Sequence, residues 1–127
     1  MTRTRARAIP EKVLQQQGVT LLRSLGAAVY VLGTRRPRTD AHRGTCQTPG
    51  LPDVWFMFGA SRPTAFGSWW EVKARHGRVS APQAAFADIC TQTGVPYVCG
   101  DLEALIGALI RWGRLRQTKS RGIASRV

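Results

Sequence analysis

The alternation of apolar and polar residues along the chain predicts the element order α-β-β-β-α-β-α. A broad apolar face covers residues 10–25, where Pro10 and Glu11 are typical of a first helical turn and Gly26 ends the helix. Short apolar or alternating runs predict strands, and capped apolar faces predict further helices. The predicted strands are 27–32, 52–58, 68–74 and 95–99, and the further helices are 81–93 after Ser80 and 102–112 after Asp101.

The predicted elements indicate one α/β domain with a central mixed sheet flanked by helices. The first strand is continuously apolar, which is typical of a buried strand, and the second and third are close enough in sequence to form a hairpin. A chain of 127 residues without an internal repeat supports one core. We place the domain at residues 10–112, between a basic arm at 1–9 and a basic tail at 113–127 that is predicted to be disordered.

Charge indicates the class of partner. The chain has 19 Lys and Arg against 7 Asp and Glu, a formal charge of +12, and such a field attracts polyanions, above all nucleic acid. A membrane surface or an acidic protein would respond to the same field, so charge alone does not identify the chemistry. The residues expected to contact phosphate are Arg35, Arg36, Arg38, Arg43, Arg75, Arg78, Arg114, Arg116 and Lys119.

The cellular compartment follows from what the chain lacks. No run approaches the about 20 apolar residues of a membrane-spanning helix, and the Arg-rich start has no apolar run typical of a secretory signal. Cys46, Cys90 and Cys99 are odd in number and lack CxxC spacing, so we expect neither a disulfide framework nor a zinc knuckle. These features predict a cytoplasmic protein with no membrane partner.

The scarce acidic residues supply the candidate chemistry. Side chains alternate along a strand, so Glu71 and Lys73 share one face, and Asp53 reaches the same place where the second strand pairs with the third. Two carboxylates with a nearby backbone carbonyl are hard ligands for Mg²⁺, which activates water, and a lysine stabilises charge developing on phosphorus. This set suits phosphodiester hydrolysis. The same spacing also fits a solvated Glu71–Lys73 pair on the outer face of an antiparallel sheet.

The chain resembles the VRR-NUC family of the PD-(D/E)XK nuclease superfamily, from about Glu11 to Leu109. The Asp and Glu-x-Lys motifs alone are common by chance, whereas the ordered set of segments is more specific. Those segments are GLPD at 50–53, WEVKA at 70–74, GRVS at 77–80 with Gln83, and GVPYV at 94–98. The resemblance implies a restriction-endonuclease-like α-β-β-β-α-β core.

The resemblance also implies roles for individual residues. Asp53, Glu71 and the backbone carbonyl of Val72 would bind Mg²⁺ or Mn²⁺, and Lys73 would be the catalytic lysine. Gln83 would position the nucleophilic water or the lysine, although an ordinary polar residue of a first helical turn is the alternative. Glu11 would lie at the edge of the metal site, with a partner of the helix dipole as its alternative.

The activity implied is metal-dependent DNA endonuclease cleavage with no covalent intermediate. Members of the family without further domains are often encoded by phages or prophages and resemble structure-specific enzymes that act as homodimers on branched DNA such as Holliday junctions. We therefore expect DNA as partner, a homodimer, and the cytoplasm of a bacterial or phage-infected cell. The alternatives are a non-catalytic nucleic-acid-binding accessory protein, and an RNA-directed or restriction-like enzyme on the same fold.

The aromatic residues bear on the expected dimer. Five of them crowd onto the second and third predicted strands, more than one small face needs, and we expect core and dimer contacts there rather than stacking of bases. These residues are Trp55, Phe56, Phe58, Trp69 and Trp70.

Overall fold

Three helices and six strands are formed by the residues that the structure, a computed structural model, describes: 8–32, 48–59, 65–117 and 124–126. In chain order they are α1 (Glu11–Ser24), β1 (Ala28–Val31), β2 (Val54–Phe58), β3 (Phe66–Val72), α2 (Ala81–Thr93), β4 (Tyr97–Gly100), α3 (Leu102–Arg111), β5 (Leu115–Gln117) and β6 (Ala124–Arg126). The first seven follow the predicted order, and their bounds agree with the predicted bounds to about two residues, which is the usual uncertainty of element ends.

The central sheet has four strands in the order β1-β2-β3-β4. Strand β2 pairs antiparallel with both β1 and β3, whereas β3 and β4 run parallel. Parallel neighbours need a crossover connection, and α2 supplies it between β3 and β4. The predicted hairpin of the second and third strands and the predicted mixed α/β architecture are therefore confirmed.

Helices α1 and α3 pack together on one face of the sheet and form the core. Gly18 of α1 lies against the Trp70 ring, and any Cβ at position 18 would overlap that ring. The other buried side chains of this core include Leu14, Leu22, Val54, Phe56, Val72, Val98, Leu105 and Leu109. Within the described ranges no helix is long and apolar enough to cross a membrane, since the longest, α1, has 14 residues.

The ends of α2 and α3 confirm the capping residues expected from the sequence. Ser80 accepts a hydrogen bond from the backbone of Gln83 at the start of α2, and Gly94 ends this helix with a φ of 76°, in the left-handed region. Asp101 accepts a hydrogen bond from the Ala104 amide at 3.0 Å and caps α3. These caps fix where each helix begins, and therefore which side chains the first turn of α2 directs toward the sheet.

Strand β1 differs from its prediction as a buried strand. It lies at the edge of the sheet, where Tyr30 is 51% exposed and Val31 is 38% exposed. An apolar composition indicates that a segment forms a strand. Whether that strand is buried depends on which other elements pack against it. The prediction of burial was wrong because it treated apolar composition as a measure of position in the sheet.

The described parts of the tail, residues 113–117 and 124–126, also differ from the prediction of a disordered segment. Strands β5 and β6 pair antiparallel, and both Arg114 and Leu115 are buried. The guanidinium of Arg114 lies 5.0 Å from the Phe58 ring centre and 5.4 Å from that of Phe66, a cation-π arrangement. The prediction of disorder rested on the positive charges of the tail. It did not take into account that the apolar stem and the flat guanidinium of arginine pack well against aromatic rings.

Candidate functional site

Asp53 and Glu71 lie side by side at one end of the β2–β3 pair. The register aligns Val54 with Trp70, so the next pair along the ladder is Asp53 and Glu71. Paired residues of antiparallel strands direct their side chains to the same face. The Oδ2 atom of Asp53 also accepts a hydrogen bond from the Val72 amide at 2.9 Å, which fixes this carboxylate across β3.

Glu71 is buried, with 2% of its surface exposed. Its Oε1 atom accepts a hydrogen bond from Gln83 Nε2 at 2.6 Å and lies 3.8 Å from Lys73 Nζ. Its Oε2 atom is buried and has no hydrogen-bond partner among the described residues. The alternative of a solvated Glu71–Lys73 pair is therefore wrong, because the two side chains are only 3% and 15% exposed.

Burial shifts the protonation of both carboxyl groups. It raises the pKa of Glu71 to about 7, the nearby charge of Asp53 acts in the same direction, and the ammonium of Lys73 opposes both. Burial also raises the pKa of Asp53, although the hydrogen bond from Val72 lowers it in part. The raised pKa values show that the ammonium of Lys73 offsets only part of the cost of ionising the buried Glu71 and the half-buried Asp53, so a cation placed between them would be stabilised.

The position of Lys73 is set by the parallel pairing of β3 and β4. Its backbone amide donates a hydrogen bond to the Gly100 carbonyl at 3.0 Å. The same carbonyl accepts a hydrogen bond from the indole nitrogen of Trp70 at 3.1 Å. Lys73 directly follows β3, so its side chain lies beside Glu71 at the end of the strand rather than within the sheet.

Gln83 connects helix α2 to the carboxylate of Glu71. Its Oε1 atom accepts a hydrogen bond from the Ser80 amide at 2.9 Å, while its Nε2 atom donates to Glu71. Gln83 therefore forms a hydrogen bond within the first helical turn, as the alternative of an ordinary polar residue predicted, and a second hydrogen bond to Glu71 at the site. Its partner at the site is the Glu71 carboxylate, whereas the family resemblance implied that it positions the nucleophilic water or the lysine.

Glu11 lies at the edge of this site. Its Oε1 atom is 3.5 Å from the Ala74 amide, and its charge contributes to raising the pKa of both Asp53 and Glu71. It is also an acid in the first turn of α1, so the helix-dipole role is consistent with its position. The two readings of Glu11 are compatible.

Gly50, the first residue of the GLPD segment, makes a close contact that the sequence did not explain. Its φ is 84°, and a Cβ at this position would overlap the backbone carbonyl of Pro82 in the first turn of α2. The segment that leads into Asp53 therefore packs directly on the helix that carries Gln83. The glycine before Leu-Pro-Asp was a signal for such a close approach.

The predicted phosphate contacts fall into three groups. Arg75, Arg78 and Arg116 are exposed, and the first two belong to the loop that follows Lys73. Arg114 is buried against aromatic rings, so its prediction as a phosphate contact is corrected to a packing role. The remaining ones lie outside the described residues: Arg35, Arg36, Arg38, Arg43 and Lys119.

The donor atoms at the site match a hard divalent cation. Among the described residues no group of three or more His, Cys, Asp and Glu side chains could hold a metal ion, and the carboxylates that lie together at this site are those of Asp53 and Glu71. The N–H and C=O of a strand residue point to the same side, so the Val72 carbonyl points toward Asp53, as its amide does. Carboxylate and carbonyl oxygens, with the unpartnered Glu71 Oε2, fit Mg²⁺ or Mn²⁺.

No family model, curated protein or solved structure matches the chain. The resemblance to VRR-NUC nucleases therefore stays a hypothesis based on the four sequence segments. The geometry of Asp53, Glu71, Lys73 and Gln83 is the physical basis for inferring a function.

Proposed function

We propose that the chain is a metal-dependent nuclease that hydrolyses phosphodiester bonds of DNA, on a restriction-endonuclease-like core. The observation that carries this proposal is the buried Glu71, beside Asp53 and Lys73, with one oxygen that has no partner among the described residues. Burying a carboxylate in this way costs stability unless a further positive group completes the site. A protein that only bound nucleic acid would not need this arrangement.

Asp53, Glu71 and the Val72 carbonyl would hold Mg²⁺ or Mn²⁺. When bound, such an ion lowers the pKa of a coordinated water and offsets charge on the phosphate. Gln83 holds one oxygen of Glu71 and leaves the other, which is buried, without a hydrogen-bond partner among the described residues. The amide of Val72 restrains Asp53 in the same way, so both carboxylates are positioned before substrate binds.

Lys73 supplies a fixed positive charge next to the scissile phosphate. Its side chain is 15% exposed and its ammonium lies 3.8 Å from Glu71, so it acts in partly desolvated surroundings where electrostatic stabilisation is strong. An ammonium there stabilises the additional negative charge that phosphorus oxygens gain in the transition state. Water attacks in line, and no residue of the chain forms a bond to the substrate.

The homodimer rests on the family resemblance, and the preference for branched DNA rests on that resemblance together with the attraction of a chain of charge +12 for polyanions. Exposed Arg75 and Arg78 follow Lys73 directly, so a polyanion is attracted toward this side of the sheet. Two copies would bring two active sites to the two strands of a junction. Light scattering of the chain on junction DNA tests this, and a complex with one copy per junction contradicts the dimer.

Cleavage assays test the nuclease. Labelled linear, flapped and four-way-junction DNA is incubated with Mg²⁺ or Mn²⁺, and we expect Lys73→Ala to lower the cleavage rate about 100- to 1000-fold, as removing one charge-stabilising group does. EDTA should abolish cleavage. The control Arg23→Ala removes an exposed cation from the far end of α1 and should leave the rate unchanged.

Two outcomes would reject this assignment. Cleavage that Lys73→Ala leaves unchanged would assign the activity to another site or to a contaminant. Binding of DNA without cleavage under every metal condition would favour the non-catalytic accessory protein, whose binding survives Asp53→Ala. Cleavage of RNA in preference to DNA of the same shape would keep the mechanism and change the substrate.

A further inference from the structure

A row of four aromatic residues crosses the whole sheet on the face that carries Asp53 and Glu71. The register pairs Tyr30 with Trp55, Trp55 with Trp69, and Trp69 with Tyr97. Residues paired across strands lie on the same face, so the four side chains form an aromatic row, within which the Trp55 and Trp69 rings are in contact. The crowding of tryptophans in the sequence predicted core and dimer contacts, whereas the register places Trp55 and Trp69 together on the face that carries Asp53 and Glu71.

The aromatic row lies directly beside the candidate site. Asp53 precedes Trp55 by two residues on the β2 side, and Glu71 follows Trp69 by two residues on β3. Two residues of a strand span about 6.6 Å and return to the same face. That spacing is comparable to the distance between a backbone phosphate and a base attached near it, so one nucleotide can contact the carboxylates and the row together.

Helix α2 covers one half of the aromatic row. Its Phe86 packs edge-on against Trp69, with ring centres 5.3 Å apart, and its centre is 6.2 Å from that of Tyr97. The other half is more accessible, because Tyr30 is 51% exposed and the neighbouring Met57 is 39% exposed. The exposed half is therefore the β1–β2 side of the row.

Trp55 is held rigidly at the middle of the row. Its ring centre is 4.9 Å from that of Trp69, with the planes tilted by 58°. Gly67 leaves space for it, since a Cβ at this position would lie 2.7 Å from the Trp55 ring. A ring positioned in this way loses little conformational freedom when a ligand packs on it, which favours binding.

We propose that Tyr30 and Trp55 form a subsite that stacks an unpaired base of the nucleic acid whose phosphodiester lies at Asp53 and Glu71. This inference rests on the proposed nuclease function and specifies its substrate class as nucleic acid with an unpaired nucleotide beside the cleavage point. Bases inside a continuous duplex are stacked on each other, so a protein ring reaches a base face only where the base is unpaired.

Charge favours nucleic acid over a second copy of the chain as the occupant of this surface. Each copy carries +12, so two copies repel each other, whereas a polyanion is attracted. Exposed Arg75 and Arg78 lie on the loop that follows Lys73, where they can contact phosphates that flank the stacked base. Stacking on tryptophan and tyrosine tolerates every base, so the subsite recognises structure and not sequence.

The test measures binding without cleavage. Fluorescence anisotropy in EDTA compares an oligothymidylate of about 12 nucleotides with an abasic strand of the same length, which has equal phosphates and no bases. We expect the native chain to bind the oligothymidylate about tenfold more tightly. Tyr30→Ala should lose about five- to tenfold of that affinity and leave abasic binding unchanged. Tyr30→Phe should keep it, and so should Ile89→Ala, which removes an exposed apolar side chain from α2.

The outcomes separate this inference from the proposed function. Equal affinity for the two strands, or equal losses for both in Tyr30→Ala, would overturn the base-stacking subsite even if the native chain cleaves DNA. A dimer in light scattering that Tyr30→Ala dissociates would assign the surface to a second copy. Preference for bases in a chain that never cleaves would keep the subsite and reject only the nuclease. Thermal melting of each variant verifies that it is folded.

Discussion

Glu71 lies between a hydrogen bond from Gln83 and the ammonium of Lys73, almost fully removed from water. Its pKa near 7 means that a proton and a metal ion compete for the same carboxylate around neutral pH. Metal affinity should therefore rise with pH through this range. The residue is also an electrostatic cost to the fold, since ionising it inside the protein is harder than in the unfolded chain.

Stability measurements of Glu71→Gln test this cost. The folded pKa of about 7 exceeds the unfolded value of 4.5, so the folded state binds more protons between them, and stability falls as pH rises through this window. In EDTA, the native chain should lose on the order of 2 kcal/mol between about pH 4.5 and about pH 8. Glu71→Gln should lose much less, and urea unfolding at several pH values measures the difference.

Glu103→Gln is the matched control, because Glu103 is an exposed acid in the first turn of α3. It should retain the pH dependence of the native chain. A native stability that rises between about pH 4.5 and about pH 8 would contradict the raised pKa of Glu71. Asp53 has a raised pKa as well, so some of the slope should remain in Glu71→Gln.

Alternation along a strand was enough to predict that Glu71 and Lys73 share a face and that Asp53 reaches them. It was not enough to predict that Glu71 is buried, because the same alternation describes a solvated pair. Burial depends on α2, which covers this part of the sheet and contributes Gln83 from another part of the chain. Contacts between distant segments have no signature in local periodicity.

At the scale of elements, the first turn of α2 joins the helix to the site. The Ser80–Gln83 capping box fixes the side chain whose amide holds Glu71, and Gly50 brings the segment before Asp53 onto the same turn. Stability of the helix end and alignment of the carboxylates therefore depend on the same hydrogen bonds.

Ser80→Ala should separate these two contributions. Loss of the cap costs about 1 kcal/mol of stability and releases the backbone amide of Gln83, although the Ser80 amide still donates to the Gln83 side chain. Cleavage should therefore fall several-fold, with little change in DNA affinity. Asp101→Ala removes the corresponding cap of α3, a helix that contributes no side chain to the site. It should cost similar stability without slowing cleavage. Equal activity losses in the two variants would indicate that general destabilisation, and not alignment of Glu71, is responsible.

Helix positions and ends were predictable because glycine, proline and capping residues mark them locally. The place of β1 at the exposed edge was not, since apolar runs in edge strands and central strands look alike. The alignment of Tyr30 with Trp55 and Trp69 could not be predicted from the sequence either, because it depends on the register in which the strands pair. The elements and their order are therefore easier to predict from the sequence than the question of which strands lie next to each other.

At the scale of the whole molecule, the basic tail takes part in the fold. Leu115 is 3% exposed and Arg114 packs on Phe58 and Phe66, so the sheet domain does not end at Trp112. From the sequence, removing everything after Trp112 is predicted to weaken DNA binding without abolishing cleavage. With these contacts, the same truncation should also lower stability, and a binding loss in that variant would have two causes.

Point substitutions in the tail distinguish the two causes. Leu115→Ala keeps every charge and should cost about 2–3 kcal/mol in urea unfolding, with an unchanged salt dependence of DNA binding. Arg116→Ala should lower the slope of log affinity against log salt by about 1, because Arg116 is exposed. A salt slope that Arg116→Ala does not change would place this side chain outside the DNA interface.

The Gly18–Trp70 contact in the core has a consequence for the opposite face of the sheet. Trp70 donates its indole hydrogen to the Gly100 carbonyl, which also accepts the backbone amide of Lys73. A methyl group added at Gly18 would push the ring, and in a close-packed interior the ring cannot move alone. A substitution at Gly18 would therefore disturb the alignment of Lys73, although Gly18 itself contributes no atom to the candidate site.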